Sequence, residues 1–351
     1  MTAQKKWLIR FFALLLALCV LCAATVAAVD PFCYYRLTDR PYFANIFFFS
    51  PGMIRHSDYE TVLLGSSMAL HFDPDLIDEA LHTKTLKICE NGMNVTELKN
   101  LLAACRCAGR AKRYLICLDM DYYRFTEPPA SKYPVYLLNQ TKLDDFKYWF
   151  NFDVWTKYLP LDAASLVTKA EGTAAQRYRR IGLLKSTEGY NEETALHLIR
   201  LNRPNGSLSR QARAELEAMI PNFDEMLQEH LAKFDKDTQL VLFLPPMSAG
   251  RWYLYTLNDA THYFYEMREH IAEAVAPYDN ITLYDFQSCD FTNDLSLYRD
   301  ALHYNYTIND YMTREFAKPD HVATPETVKA ANRQIAENIE RFAAQYGERL
   351  K

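Results

Sequence analysis

The chain reads as an α/β protein, a three-layer α/β/α sandwich on a parallel sheet, and three observations predict this. Short apolar runs alternate with amphipathic helical stretches from Glu60 onward, the alternation that parallel strands joined by crossover helices require. Glycine-asparagine and double-proline signals punctuate the ends of those runs. Hydrophobic residues make up 49% of the 351 positions and charged residues 24%, the balance of a globular chain with a core to bury.

In order, Thr61-Val62-Leu63-Leu64 is a buried strand that ends at Gly65. Asp75 to Leu81 places Leu76, Ile77, Ala80 and Leu81 on one helical face. Thr85 to Cys89 is the second strand, closed by the turn signal Asn91-Gly92. Val95, Leu98, Leu101, Leu102 and Cys105 recur at helical spacing, and Arg113 to Leu118 makes the third strand. From about residue 123 to 221 aromatic and helical segments follow without a clear strand, so this stretch is expected to be a mostly helical insertion in a domain spanning 58–351. A helix near Phe223 to Phe234, the strand Leu240 to Leu244 before Pro245-Pro246, a helix from about Asp259 to Val275 and the strand Ile281 to Tyr284 resume the pattern. The last helix begins at Thr324-Pro325, where Thr can cap and Pro suits the first helical position.

The N-terminus carries a different signal. Lys5, Lys6 and Arg10 precede an apolar run from Phe11 to Val29, long enough to cross a bilayer as a helix over residues 7–29. Basic residues upstream favour a cytoplasmic N-terminus, so a single-pass membrane protein with its remaining chain exported is expected. A cleaved signal peptide is the competing reading, because Ala23 to Ala28 are small enough for a cleavage site. The eight cysteines form no evident disulfide framework; Cys33 and Cys289 have loop-like surroundings, and the others read as small apolar residues of the apolar helix, strands or core.

The chemistry-bearing residues lie at two distant places. Gly65-Ser66-Ser67 follows the first strand, at the carboxyl edge where α/β sheets hold ligands. A serine hydroxyl needs a base to become a nucleophile. Asp300-Ala301-Leu302-His303 supplies one, after the last strand and before the C-terminal helix. A three-residue spacing lets the carboxylate orient the imidazole while the other ring nitrogen faces the serine.

Together these blocks resemble the SGNH/GDSL hydrolase superfamily, in particular its membrane-anchored DltD-like branch, over roughly Tyr59 to Tyr346 apart from the insertion. Gly65-Ser66-Ser67, the N-terminal anchor and Pro245-Pro246 carry that likeness. The resemblance implies a catalytic triad of Ser67, His303 and Asp300, with backbone amides of Ser67 and Gly92 as oxyanion hole. It also implies serine-dependent acyl transfer, as an O-acyltransferase or esterase, on a cell-surface polysaccharide or teichoic-acid-like acceptor, with a membrane O-acyltransferase as partner. At the third block, where the family carries an Asn as a further oxyanion donor, Leu118-Asp119-Met120-Asp121 has none. A catalytically weak SGNH-fold binding or assembly factor for surface-polymer modification is therefore the alternative expectation.

No HExxH, close Cys/His set or glycine-rich phosphate loop occurs, so no metal or cofactor is expected. The formal charge of −5 gives no reason to expect nucleic acid.

Overall fold

The computed structural model describes residues 2–38, 45–139, 141–161 and 172–351. They form two compact units. One comprises residues 1–57 and 132–178, the other residues 58–131 and 179–351. The expected insertion is thus divided: its middle, 132–178, belongs with the N-terminal residues, while its two ends belong with the sheet. Periodicity could not show this, because helical spacing reports which face is buried and not which neighbour buries it. Part of that stretch, residues 140 and 162–171, lies outside the described residues.

The sheet-bearing unit holds five strands, β1 (Thr61–Gly65), β2 (Thr85–Cys89), β3 (Arg113–Cys117), β4 (Gln239–Leu244) and β5 (Ile281–Asp285). All pair in parallel, in the order β2-β1-β3-β4-β5. β1 and β2 are buried along their whole length, which their apolar runs permit, each fully buried Leu or Ile contributing about 1.5–3 kcal/mol. Because β2 lies to one side of β1 and β3 to the other, the chain reverses its direction of travel between β1 and β3, and a crevice opens at their carboxyl ends.

Helices follow their sequence signals. Asn94 caps Val95–Ala108 with a reciprocal bond to Glu97, and Gly109 ends it at φ 63°. Thr324 caps Pro325–Tyr346, whose Val328, Ile335 and Phe342 are buried. Among the described residues outside 123–221, the helices Ile46–His56, Ala249–Thr256 and Tyr306–Glu315 escaped the sequence reading. Aromatic and polar residues break the simple apolar stripe in each. The helix expected near Phe223 to Phe234 begins earlier, at Met219, and passes into a π-turn over Leu227–Leu231. Behind the sheet, the fully buried Arg268 bonds Asp285 at the end of β5 and Asn332 of the last helix, a tie whose loss on one side alone would strand a charge.

The other unit contains Ala3–Val29, a helix long and apolar enough to cross a membrane and almost wholly exposed. All eight cysteines are free thiols, Cys33 and Cys289 included.

Candidate active site

The site grows from two chain segments at the crevice between β1 and β3. At the first, β1 ends in Gly65, and Ser67–Ala69 make a single tight 3₁₀ turn. A side chain at position 65 would sit 2.6 Å from the Ala69 Cβ and 2.7 Å from the Cys117 Cβ of β3, so only glycine lets the turn fold back this closely. Ser66 is buried and caps the turn, accepting from the Met68 amide at 3.3 Å. Ser67 is left half-buried, facing a cleft of about 530 Å³.

The second segment is a loop, Tyr298 to Tyr304, closed by an antiparallel bridge between those two residues and by the Arg299 amide donating to the His303 carbonyl at 2.8 Å. Within it, Asp300 uses both oxygens. Oδ1 accepts the amides of Leu302 and His303 at 2.7 and 2.9 Å, and Oδ2 meets His303 Nδ1 at 2.7 Å. The loop rests on the residues after β4: Ser248 Oγ donates to the Ala301 carbonyl at 2.8 Å, and Tyr298 Oη donates to the Pro246 carbonyl at 3.2 Å. Pro245-Pro246 thus halts the strand and presents two carbonyls, that of Pro246 to the loop through Tyr298 and that of Pro245 to Gln287 Nε2 after β5.

The two segments meet. Ser67 Oγ lies 2.9 Å from His303 Nε2, across 236 positions of sequence. The three side chains singled out by spacing therefore form one continuous hydrogen-bonded series, Ser67 to His303 to Asp300. With Asp300 bonded to Nδ1, the imidazole keeps its proton there and offers a lone pair at Nε2 toward the serine. The Asp300 bond raises the His303 imidazole above its ordinary value, against burial, which lowers it; the charges of Asp300 and Asp119 raise it further. Burial would lift the Asp300 carboxyl, but the bond and charge of His303 and the two amides hold it below the usual range.

Gly92 lines the same cleft, at φ 63° in a turn closed by the Met93 amide onto the Glu90 carbonyl. Asp119, at the end of β3, lines it too. Its Oδ2 accepts from Ser66 Oγ at 3.1 Å and its Oδ1 from the Asp121 amide at 3.1 Å. Burial, with the Asp121 charge beside it, pushes the Asp119 carboxyl up to about 6. Asp121 is itself held by Arg124 at 2.9 Å and Arg251 at 3.1 Å. Among nearby aromatic side chains, Tyr122 lines the cleft and Tyr123 is fully buried against Phe223.

Sequence reasoning missed the residues that lock these segments. Tyr304 Oη and Asn309 Nδ2, both buried, donate to the Met68 carbonyl at 2.6 and 3.2 Å, fastening the serine turn to the histidine loop. Lys87, buried on β2, donates to the carbonyls of Leu70 and Phe72 at 2.8 and 3.3 Å, and its burial pushes the ammonium down to about 8. A lysine inside an otherwise apolar strand run was the one available signal; Tyr304, next to His303, carried none.

Tyr304→Phe removes one of the two donors and leaves the rest of the ring in place. It should slow modification of Ser67 by a serine-directed fluorophosphonate about 10-fold, since small displacements of reacting groups cost up to about 10²-fold, with little change in melting temperature. An unchanged rate would mean that the latch does not position the serine.

No protein-family profile, curated protein or solved structure matches this chain.

Proposed function

We propose that the chain is a membrane-anchored, extracytoplasmic serine enzyme of SGNH type that transfers acyl groups. The observation that carries this reading is the pair of bonds, 2.9 and 2.7 Å, that connects Ser67 Oγ through His303 to Asp300. The sheet order and the position of the site at the carboxyl ends of β1 and β3 support a three-layer α/β/α sandwich of the SGNH/GDSL kind, DltD-like in its anchor and Gly-Ser-Ser turn. The basic residues before the apolar helix support an exported site.

In the proposed reaction Ser67 Oγ attacks an ester carbonyl as His303 Nε2 takes its proton. The carbonyl oxygen gathers negative charge, for which the amides of Ser67 and Gly92 are the donors. Collapse releases the alcohol, which leaves with the proton from His303, and an acyl-Ser67 remains. A hydroxyl of a surface polysaccharide or teichoic-acid-like polymer then attacks, again through His303; water in its place makes the enzyme an esterase. The acyl donor must arrive activated on the exported side, and a membrane O-acyltransferase partner is the source this reading assigns.

Asp119 favours a second reading, a weak or inactive SGNH-fold assembly factor, because it occupies the place in sequence where that family carries a neutral Asn donor, and an ionised carboxylate would repel an oxyanion. With its proton on, Asp119 can donate; above about pH 6 it mostly cannot.

Fluorophosphonate should label wild-type protein at Ser67 and label Ser67→Ala or His303→Ala at least ~10³-fold more slowly. The rate should rise with pH through an apparent value above the ordinary ~6.5, because His303 acts as base only when neutral. Wild-type protein that resists labelling, with its cleft reachable by neutral probes, would favour the assembly factor.

Asp119→Asn restores the missing neutral donor. At pH 8 it should raise the labelling rate by about 10-fold or more, toward the ~10²–10³ a donor is worth, and move the apparent value down, because the Asp119 charge that raises His303 is gone. A rate that falls or stays level would exclude Asp119 from the oxyanion position.

A further inference from the structure

The apolar run Phe11–Val29 is 19 residues, about 28 Å as a helix at ~1.5 Å per residue. This nearly equals the ~30 Å of a bilayer's hydrocarbon core. If the run spans, Asp30 stands at the boundary between hydrocarbon and headgroups.

The chain at that boundary is built, and not a loose tether. Asp30 turns the chain at φ 48°, and its carboxylate accepts the amides of Tyr34, Tyr35 and Arg36 at 2.9, 2.8 and 3.0 Å. The Arg36 guanidinium donates back to the last helix carbonyls, Ala27 at 2.7 Å and Ala28. A second segment is clamped to this turn. Asp145 accepts from the hydroxyls of Tyr34 and Tyr35 at 2.9 and 3.1 Å, and Trp149 Nε1 donates to Tyr35 Oη at 2.7 Å. Phe146–Trp149 therefore packs against the end of the apolar helix.

Around that clamp large apolar side chains face outward: Leu143 is 88% exposed, Phe146 50%, Phe150 47% and Phe152 77%. Such a cluster on a protein surface marks an interaction site. Its neighbours identify the occupant. Tyrosine and tryptophan with bonded polar tips are the side chains of the membrane–water interface, and Lys142 and exposed Lys147 sit beside them, suited to anionic headgroups.

We propose that Leu143, Phe146, Phe150 and Phe152 form a lipid-inserted collar, dipping into the leaflet at the Asp30 end of the apolar helix. The proposal rests on the reading of that helix as a membrane span and is independent of the chemistry at Ser67. The collar gives the first unit a second hold on the bilayer and fixes its orientation, which one helix through one turn would leave free to swing.

The test is photocrosslinking of the full chain in phosphatidylcholine/phosphatidylglycerol vesicles carrying an alkyne-tagged lipid. Phe146, Phe150 and Phe152 are replaced singly by p-benzoylphenylalanine, with Leu14 on the apolar helix and Leu201 on the sheet-bearing unit as references; both are exposed. Tagged-lipid adducts are expected at Leu14 and, within about threefold of it, at Phe150 and Phe152, with at least ~10-fold less at Leu201. Adducts at Leu14 with only the Leu201 level at the three phenylalanines would overturn the collar and keep the span. No adduct at Leu14 would overturn the span and the collar together. Crosslinks from the phenylalanines to a second protein chain instead of lipid would assign the surface to a protein partner and also overturn the proposal.

Discussion

The two halves of the candidate site are fastened to each other through one backbone carbonyl. Met68, the residue after the proposed nucleophile, accepts hydrogen bonds from two buried donors, Tyr304 and Asn309, that come from the far end of the chain. Two segments that the sequence separates by 236 positions are thereby held at hydrogen-bond distance. A buried carbonyl that loses its donors costs about 1–3 kcal/mol, so departures from this geometry are penalised from both sides. The serine turn folds back tightly on the sheet, because the missing side chain of Gly65 leaves room for Ala69 of the turn and Cys117 of β3. The histidine loop cannot drift from β4, because Ser248 and Pro246 hold it. The Ser67–His303 bond is the consequence of two rigid supports converging, which is the form a preorganised site takes.

How much of this was legible in the sequence follows from the range of each signal. The strands were readable because a five-residue apolar run bounded by turn residues is too short for a buried helix and suits a buried strand, and their observed limits differ from the expected ones by at most a residue or two. Ser67 and the Asp300–His303 pair were readable because local spacing and position after a strand are written in the chain. Long-range polar pairing was not. Tyr304, Asn309 and Ser248 are ordinary residues in sequence, and only the fold gives each its partner; Lys87 stood out in its apolar run, but nothing there named the carbonyls it meets. The same limit underlies the division of residues 123–221 between two units. The decisive contacts, Asp145 with Tyr34 and Tyr35, join positions about 110 apart.

Asp119 shows sequence and structure correcting each other. Its position at the end of β3 invited a reading as a lost oxyanion donor. The structure gives it a further task, since it orders Ser66, which caps the turn that carries Ser67. The same carboxylate adds to the field that raises His303. On the proposed reading, support of the turn and of the base comes at the expense of a neutral donor.

The central claim is that His303 is a base oriented by Asp300 and presented to Ser67. Histidine-selective nitrogen-15 NMR of the whole protein across pH tests it most directly. The account predicts a His303 ring protonated at Nδ1 in its neutral form, titrating above the ordinary ~6.5, and shifting downward in Asp300→Asn. A neutral ring protonated at Nε2, or a titration at the ordinary value that ignores the Asp300 substitution, would contradict it.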